Sequence, residues 1–256
     1  MSKVSIAIPT FNSSKYVEDL LSSLFNTSNK YSFDEIVIND DNSESDDFKN
    51  LINTVNYFSN KFTEISFELS QNNKNLGGFI NKYNTVKKCN NMIVYQIDSD
   101  NIIKKSTLKM LSEDNLEKPF LYLPSSISIF KDSKFRKRKI KFTKKFGEFS
   151  KEEIKTFLIK NNNVNKRDLN WVMNIGNPIF YKESYLEKLE EGINSKLNLS
   201  ADAYGLTYFW LKNNGKLYLD KKHSHKHRLH DKSYWVTEGN DAVDSVKTFR
   251  NLMVNL

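Results

Sequence analysis

Four short apolar runs in the first hundred residues each end on a polar cluster, and helical spacing fills the gaps between them. Val4-Ser5-Ile6-Ala7-Ile8 meets Pro9-Thr10-Phe11-Asn12, and Phe33-Asp34-Glu35-Ile36-Val37-Ile38 breaks at Asn39-Asp40-Asp41-Asn42-Ser43. Ile65 to Leu69 precedes a loop from Asn72 to Gly78, and Met92 to Ile97 stops at Asp98-Ser99-Asp100-Asn101. Branched, apolar runs bounded by turn formers read as buried strands. Behind Ser13 or Ser14 as N-cap, Tyr16, Val17, Leu20, Leu21 and Leu24 recur at helical spacing. Phe48, Leu51, Ile52, Val55 and Phe58 share one face of a helix over 46–60, and 79–89 reads as a third helix. This alternation predicts a mostly parallel sheet with helices on both faces and a ligand at the carboxyl ends of its strands.

The polar ends are where chemistry is expected. Asp98 and Asp100 are two residues apart, so they project together if extended geometry persists. Two carboxylates at the end of a buried strand repel and lose solvation unless a positive partner intervenes. A divalent cation carrying a phosphorylated ligand meets that need, because hard cations take oxygen ligands. A solvated Asp-Ser-Asp-Asn turn is the alternative. Thr10 with Asn12, and Asp40 with Asp41, close the neighbouring strands, and three such loops on one edge favour a nucleotide-type site.

The second half is less patterned. Ser106 to Leu111 reads as a short helix, Phe120 to Pro124 as a strand, and Lys131 to Lys145 as an exposed hairpin or mobile loop. A helix over 150–161 follows, then strand, tight turn and strand from Trp171 to Tyr181, and a brief helix from Tyr185 to Leu189. Asp202 heads an apolar helix running to Leu211, where a carboxylate also complements the dipole. Residues 242–256 look like a terminal amphipathic helix.

All four histidines fall between His223 and His230, three of them at i, i+2, i+4. A zinc site on one strand face, a surface strand and a single functional histidine at His230 are the readings available. Neighbouring lysines and the absence of thiolate ligands argue against structural zinc.

The chain has 256 residues, 39 basic against 31 acidic side chains and a net charge of +8. The basic excess is concentrated in Lys131 to Lys145 and Lys221 to Lys232, which suits nucleic acid, an anionic membrane surface or an anionic small ligand. One cysteine, Cys89, excludes an internal disulfide. With no run of membrane-spanning length and a start that enters a strand directly, a cytoplasmic setting, peripheral to a membrane, is expected.

Taken together, these stretches resemble the family 2 glycosyltransferases of the GT-A fold. Val4 to Asn12 looks like that family's first strand and loop, and Glu35 to Ser43 like its second strand with a double-Asp turn. Asn75-Leu76-Gly77-Gly78, with Asn81 and Asn84, is similar to its Asn-x-Gly loop and helix, and Asp98-Ser99-Asp100 to its DXD motif. Asn177-Pro178-Ile179-Phe180-Tyr181 resembles an acceptor-side segment. Arg228-Leu229-His230-Asp231-Lys232-Ser233 looks like a late Arg-x-His-x-x-Ser signature. Ala201-Asp202 stands where the family usually has Glu-Asp, a departure that keeps the Asp.

The resemblance implies a single GT-A domain over 1–256, a Rossmann-like α/β sheet with a donor half (1–110) and an acceptor half (111–256). It implies inverting transfer from a UDP-sugar to a hydroxyl of a glycan, glycolipid or protein-linked acceptor, with Mn²⁺ or Mg²⁺. The transferred group is expected to be a hexosyl or N-acetylhexosaminyl unit. Pro9, Thr10, Phe11, Asn12, Asp41, Asn75, Gly77, Asp98, Ser99 and Arg228 are then expected at the nucleotide, and Asp41 at the uracil imide. Asp100, Asp98 and His230 are expected at the metal, with Asp202 as general base. A nucleotidyltransferase would want a Gly-rich basic loop after the first strand, where Pro9 to Ser13 is neither. A basic nucleic-acid-binding protein would interleave charge with aromatics, whereas the acidic motifs here fall in the expected cleft. A glycosyltransferase that binds without turning over is a third alternative.

Overall fold

A computed structural model of the protein describes residues 3–26, 32–113, 116–131, 134–141, 146–160, 173, 176–230 and 239–256. In chain order the elements are β1 (Val4–Thr10), α1 (Ser14–Phe25), β2 (Glu35–Asp40), α2 (Ser45–Lys61), β3 (Ser66–Gln71) and α3 (Gly78–Lys88). They continue with β4 (Ile93–Gln96), β5 (Ile102–Ile103), α4 (Lys105–Glu113), β6 (Phe120–Lys131), β7 (Lys134–Lys141) and β8 (Gly147–Phe149). Then come α5 (Lys151–Lys160), β9 (Ile179–Tyr181), α6 (Lys182–Ile193), α7 (Asp202–Lys212), β10 (Lys216–Leu229) and α8 (Gly239–Val254).

One sheet runs β3-β2-β1-β4-β9-β6-β10-β5, with β7 beside β6 and β8 beside β10. The first four strands run parallel to one another, whereas β9 lies antiparallel to both β4 and β6. β10 returns parallel to β6. Register aligns the strand ends: Thr10 lies opposite Asp40, and Asp40 opposite Gln71.

Strands covered on both faces are apolar throughout, and every residue of β1 and β2 is buried. Alternation then sorts them. Ala7, Val37 and Val94 join the core that contains residues of α3, α6 and α7, while Ile6, Ile8, Ile36, Ile38 and Tyr95 pack with α1 and α2 residues. A one-residue slip would exchange the two sets. The buried carboxylate of Glu35 guards against it at the opposite end of the sheet from Thr10. It accepts from Ser5 Oγ, from the Asn90 backbone at 2.9 Å and from Asn90 Nδ2.

Two expectations change, at β6 and at Met173, while over its described residues the basic stretch takes the hairpin alternative. β6 runs to Lys131 rather than stopping at Pro124, because the alternating Ser126-Ile127-Ser128-Ile129 continues the strand beyond the proline and pairs with β10 on one side and β7 on the other. Much of the basic stretch 131–145 is accordingly a strand of that hairpin, with 132–133 and 142–145 outside the described residues. The strand expected from Trp171 to Ile175 lies outside the described residues, apart from Met173, which is helical and buried. Among the described residues, no helix is long and apolar enough to cross a membrane.

Candidate active site

The loops after β1 and β2 are stitched together. Asn12 adopts φ 47°, a left-handed conformation that asparagine tolerates better than most residues. Its backbone N–H donates to Ser43 Oγ at 2.7 Å, and its Oδ1 accepts from the Glu44 N–H at 3.0 Å. Asp40 accepts from the Ser43 N–H at 2.8 Å and from Gln71 Nε2 at 2.9 Å. Thr10 Oγ1, Ser13 Oγ and Ser99 Oγ form a chain of 2.7 Å contacts, joining the end of β1 to the loop after β4. Phe11 stands outside this lattice, 46% exposed.

Asp41 organises the next loop. Its Oδ1 accepts from Asn72 Nδ2 at 2.8 Å and from the Leu76 N–H at 3.0 Å, and its Oδ2 from the Gly77 N–H at 2.9 Å. Gly77, which also donates to Asn75 Oδ1, has φ 83°, and with no Cβ it turns the chain into α3 without strain. Asn81 on α3 ties the layers together. Its Oδ1 accepts from Asn39 Nδ2 at 2.7 Å, and its Nδ2 donates to the carbonyls of Thr10 and Asn39.

One turn into α3, Lys82 reaches across the site. Its Nζ lies 2.9 Å from Asp98 Oδ1 and 2.6 Å from Asp202 Oδ2, with the lysine side chain only 11% exposed. Burial alone would lower the affinity of this amine for its proton. Asp202 and Asp98 outweigh burial and hold Lys82 above the usual lysine range. The other oxygen of Asp202 accepts from the Ala203 N–H at 2.6 Å at the start of α7. Backbone comes close to both acids: a Cβ on Gly78 would sit 2.9 Å from Asp202 Oδ2, and one on Gly176 2.8 Å from Asp98 Oδ2.

Asp100 faces the other way. Its Oδ2 lies 3.1 Å from His230 Nε2, and the His230 ring rests on Tyr16 with centroids 4.7 Å apart. Arg228, on the same side of β10, is buried between two rings, its guanidinium carbon 4.8 Å from the centroid of Tyr16 and 4.6 Å from that of Phe130. It bonds to Asp19 at 2.6 Å and to the Asp100 carbonyl at 3.1 Å. Its contacts therefore brace the Asp100 loop from beneath.

Asn177 (φ 64°) sets the position of Asp98. Its Oδ1 accepts from the Asp98 backbone N–H at 2.6 Å, and its Nδ2 lies 3.0 Å from His225 Nε2. Since the Asp98 N–H is only a donor, the Asn177 amide is oriented with its NH₂ toward His225. Nε2 of that imidazole therefore accepts, and its proton sits on Nδ1. His223 and His225 are buried, contrary to the surface strand expected from their lysine neighbours. Burial lowers His223 to about 3 and takes His225 well below its ordinary value. Both continue the inward face of Leu217 and Leu219: His225 pairs with Ile103 of β5 on one side and Ile127 of β6 on the other, and Tyr95 packs against His223 with ring centroids 5.4 Å apart.

The sequence matches the family described as "Glycosyl transferase family 2" over residues 5–189. This chain belongs to glycosyltransferase family 2. No curated protein sequence matches the glycosyltransferase. Among solved structures, S. aureus TarS 1–349 in complex with UDP-GlcNAc superimposes with a TM-score of 0.64 at 18% identity, covering 99% of this chain and 67% of that one. The structure of S. aureus TarS gives 0.57 at 19%, covering 94% and 39%. GalNAc-T7 with UDP, GalNAc and Mn²⁺ gives 0.59 at 13%, covering 90% and 44%. This chain thus spans less than half of the latter two. The likeness carries the GT-A fold, as the family resemblance implies.

Within that fold the expected site residues fall into four groups. Thr10, Asn12 and Ser99 join one hydrogen-bonded lattice, and Asp41, Asn75 and Gly77 form a second around the loop after β3. Asp98 meets Asp202 through Lys82, while Asp100 meets His230. Among the described residues, no group of three or more His, Cys, Asp or Glu forms a cation cage. Lys82, Asn177 and His225 are the contributions that sequence reasoning missed. Lys82 had a signal, since it falls between Phe79 and Val86 at the spacing of a buried helix face. The late Asp231-Lys232-Ser233 lies outside the described residues.

Proposed function

We propose that this glycosyltransferase moves a hexosyl or N-acetylhexosaminyl unit from a UDP-sugar to a hydroxyl of a glycan, glycolipid or protein-linked acceptor, with inversion. One observation carries the reading: Asp98, from the donor-type motif, and Asp202, at the head of α7, lie near enough to touch the same ammonium. A base must sit where the donor's anomeric carbon is presented, and this contact brings the two ends of the reaction together. UDP and UDP-GlcNAc in the neighbours' structures support the choice of nucleotide. We read 1–110 as the donor half and 111–256 as the acceptor half of one domain. The basic strand β7 is our candidate contact for an anionic acceptor or membrane surface.

Pro9 to Asn12 would frame the base, with Phe11 free to cover its ring. Asp41 already accepts three hydrogen bonds, which leaves capacity on Oδ2 for an imide N–H. Asp100 and His230 would hold a divalent cation: a carboxylate oxygen and an imidazole nitrogen lie 3.1 Å apart, both able to offer a lone pair to one ion. Mn²⁺ or Mg²⁺ held there would supply positive charge for the departing diphosphate. Asp98, expected at the ribose or in the metal shell, is engaged by Lys82 at 2.9 Å, and of the two we assign it to the donor's ribose.

Asp202 takes the proton of the acceptor hydroxyl as that oxygen bonds to the anomeric carbon and the bond to the diphosphate breaks. Asp202→Asn is expected to retain UDP binding within a few-fold and to lower transfer by at least about 10²-fold. UDP release from a panel of UDP-sugars, with calorimetry for UDP, reads both. Turnover unchanged in that variant removes Asp202 from the mechanism.

A further inference from the structure

The contact that brings the two acids together also raises a question of charge. Lys82 is almost fully buried, and each of its two partners is itself partly covered, Asp98 at 30% and Asp202 at 21% exposure. Backbone lies close against one side of each acid. Gly78 and Gly176 abut the carboxylate oxygens so closely that even a methyl group at either glycine would collide with them. The second oxygen of Asp202 is held by the Ala203 N–H, and the Asp98 backbone is held by Asn177. Three side chains, from α3, from the loop after β4 and from α7, are thus locked around one ammonium.

We infer that Lys82 is a positioning residue for the transfer, holding the base Asp202 against the donor-side Asp98 through both halves of the proton's movement. The inference rests on the reaction proposed above. Before transfer, two carboxylates share one ammonium. Afterwards the acceptor's proton is on Asp202, the new glycosidic bond has formed, UDP has left and Asp202 is neutral. A buried lysine paired with Asp202 alone would then be stranded as an uncompensated cation, a costly state. The second partner removes that difficulty: Lys82 stays paired with Asp98 while Asp202 changes charge. A single lysine with two acids therefore lets the base cycle without Lys82 moving.

The roles separate in kinetics. Lys82→Met keeps the length and removes the charge, and Lys82→Arg keeps the charge. For Lys82→Met, kcat is expected to fall about 10²-fold or more, with the donor KM and the UDP Kd within about three-fold of wild type. Lys82→Arg is expected to recover at least a tenth of wild-type kcat. Should the methionine variant fail to fold, Lys82→Gln serves in the same comparison. Wild-type kcat in either neutral variant overturns the inference, as does a loss confined to UDP affinity, which would make Lys82 a nucleotide ligand. If wild type releases UDP from no UDP-sugar, the reading of the reaction fails instead. Crystal structures of wild type and Lys82→Met then decide the positioning role by themselves: carboxylates of Asp98 and Asp202 that separate in the variant support it, and unmoved carboxylates refute it.

Discussion

His230 and Asp100 lie 130 residues apart in the chain, and beside their 3.1 Å contact Arg228 Nε donates to the Asp100 carbonyl at 3.1 Å. Arg228 and His230 are two apart on an extended segment and so lean the same way. The ring of Tyr16 accepts both, the imidazole at 4.7 Å and the guanidinium at 4.8 Å. His230→Ala removes one of two donor atoms for a cation and leaves the Arg228 brace untouched. Calorimetric titration of UDP into wild type is expected to show tighter binding with Mn²⁺ than without. In His230→Ala the Mn²⁺-dependent gain should shrink by about tenfold or more. Identical titrations of wild type with and without the metal would exclude the assignment of Asp100 and His230. The i, i+2 spacing of Arg228 and His230 could be read in the sequence. The partners could not, since Asp19 and Tyr16 lie more than two hundred residues earlier in the chain.

Among the elements, the start of α3 depends most on one distant side chain. The loop from Asn72 to Gly77 has few apolar anchors, and Asp41 supplies three hydrogen bonds to it from the end of β2. Asp41→Ala leaves the Leu76 and Gly77 N–H groups seeking other partners. Since a charge-assisted hydrogen bond contributes on the order of 1.5–3 kcal/mol and loops relax, a net loss of about 2–4 kcal/mol is expected. Urea unfolding measures it, and a change below about 0.5 kcal/mol would mean the loop is held by other contacts. The parallel strands, α1 to α3 and the helix behind Asp202 were legible in the sequence, because burial imposes periods of two and 3.6 on side chains. β7 was half-legible, since a strand whose partners supply the register carries no apolar pattern. Lys82 was hidden by habit: a lysine on a helix reads as solvated until two acids from distant segments are known to face it.

Across the whole molecule, the two buried histidines give the fold an acid limit. His223 is pushed down to about 3 by burial, and His225 is lowered in the same direction for the same reason. In the unfolded chain both would take a proton near pH 6.5. The unfolded state therefore binds more protons as pH falls, and each such histidine costs the fold about 1.4 kcal/mol per pH unit below that point. The stability they permit is complete above pH 6.5 and declines as pH drops from there toward 3. Thermal unfolding at pH 7.5, 6.5, 5.5 and 5.0 is expected to give a flat Tm and then a steady fall, with a shallower fall in His223→Phe. Parallel slopes for the two proteins would remove His223 as the cause.

The sheet's weakest continuity lies at β9. This strand has three residues, and it joins the parallel block to the rest of the sheet through a single paired position on the far side, Ile179 opposite Tyr122. A ladder that narrow passes little information about spacing from one block to the other. A length change in the loops around β6 to β8 can be absorbed there without shifting β1 to β4 by a residue. Insertions on the β6 side of this seam are therefore expected to leave the strand ends that carry Thr10, Asp40 and Gln71 in register.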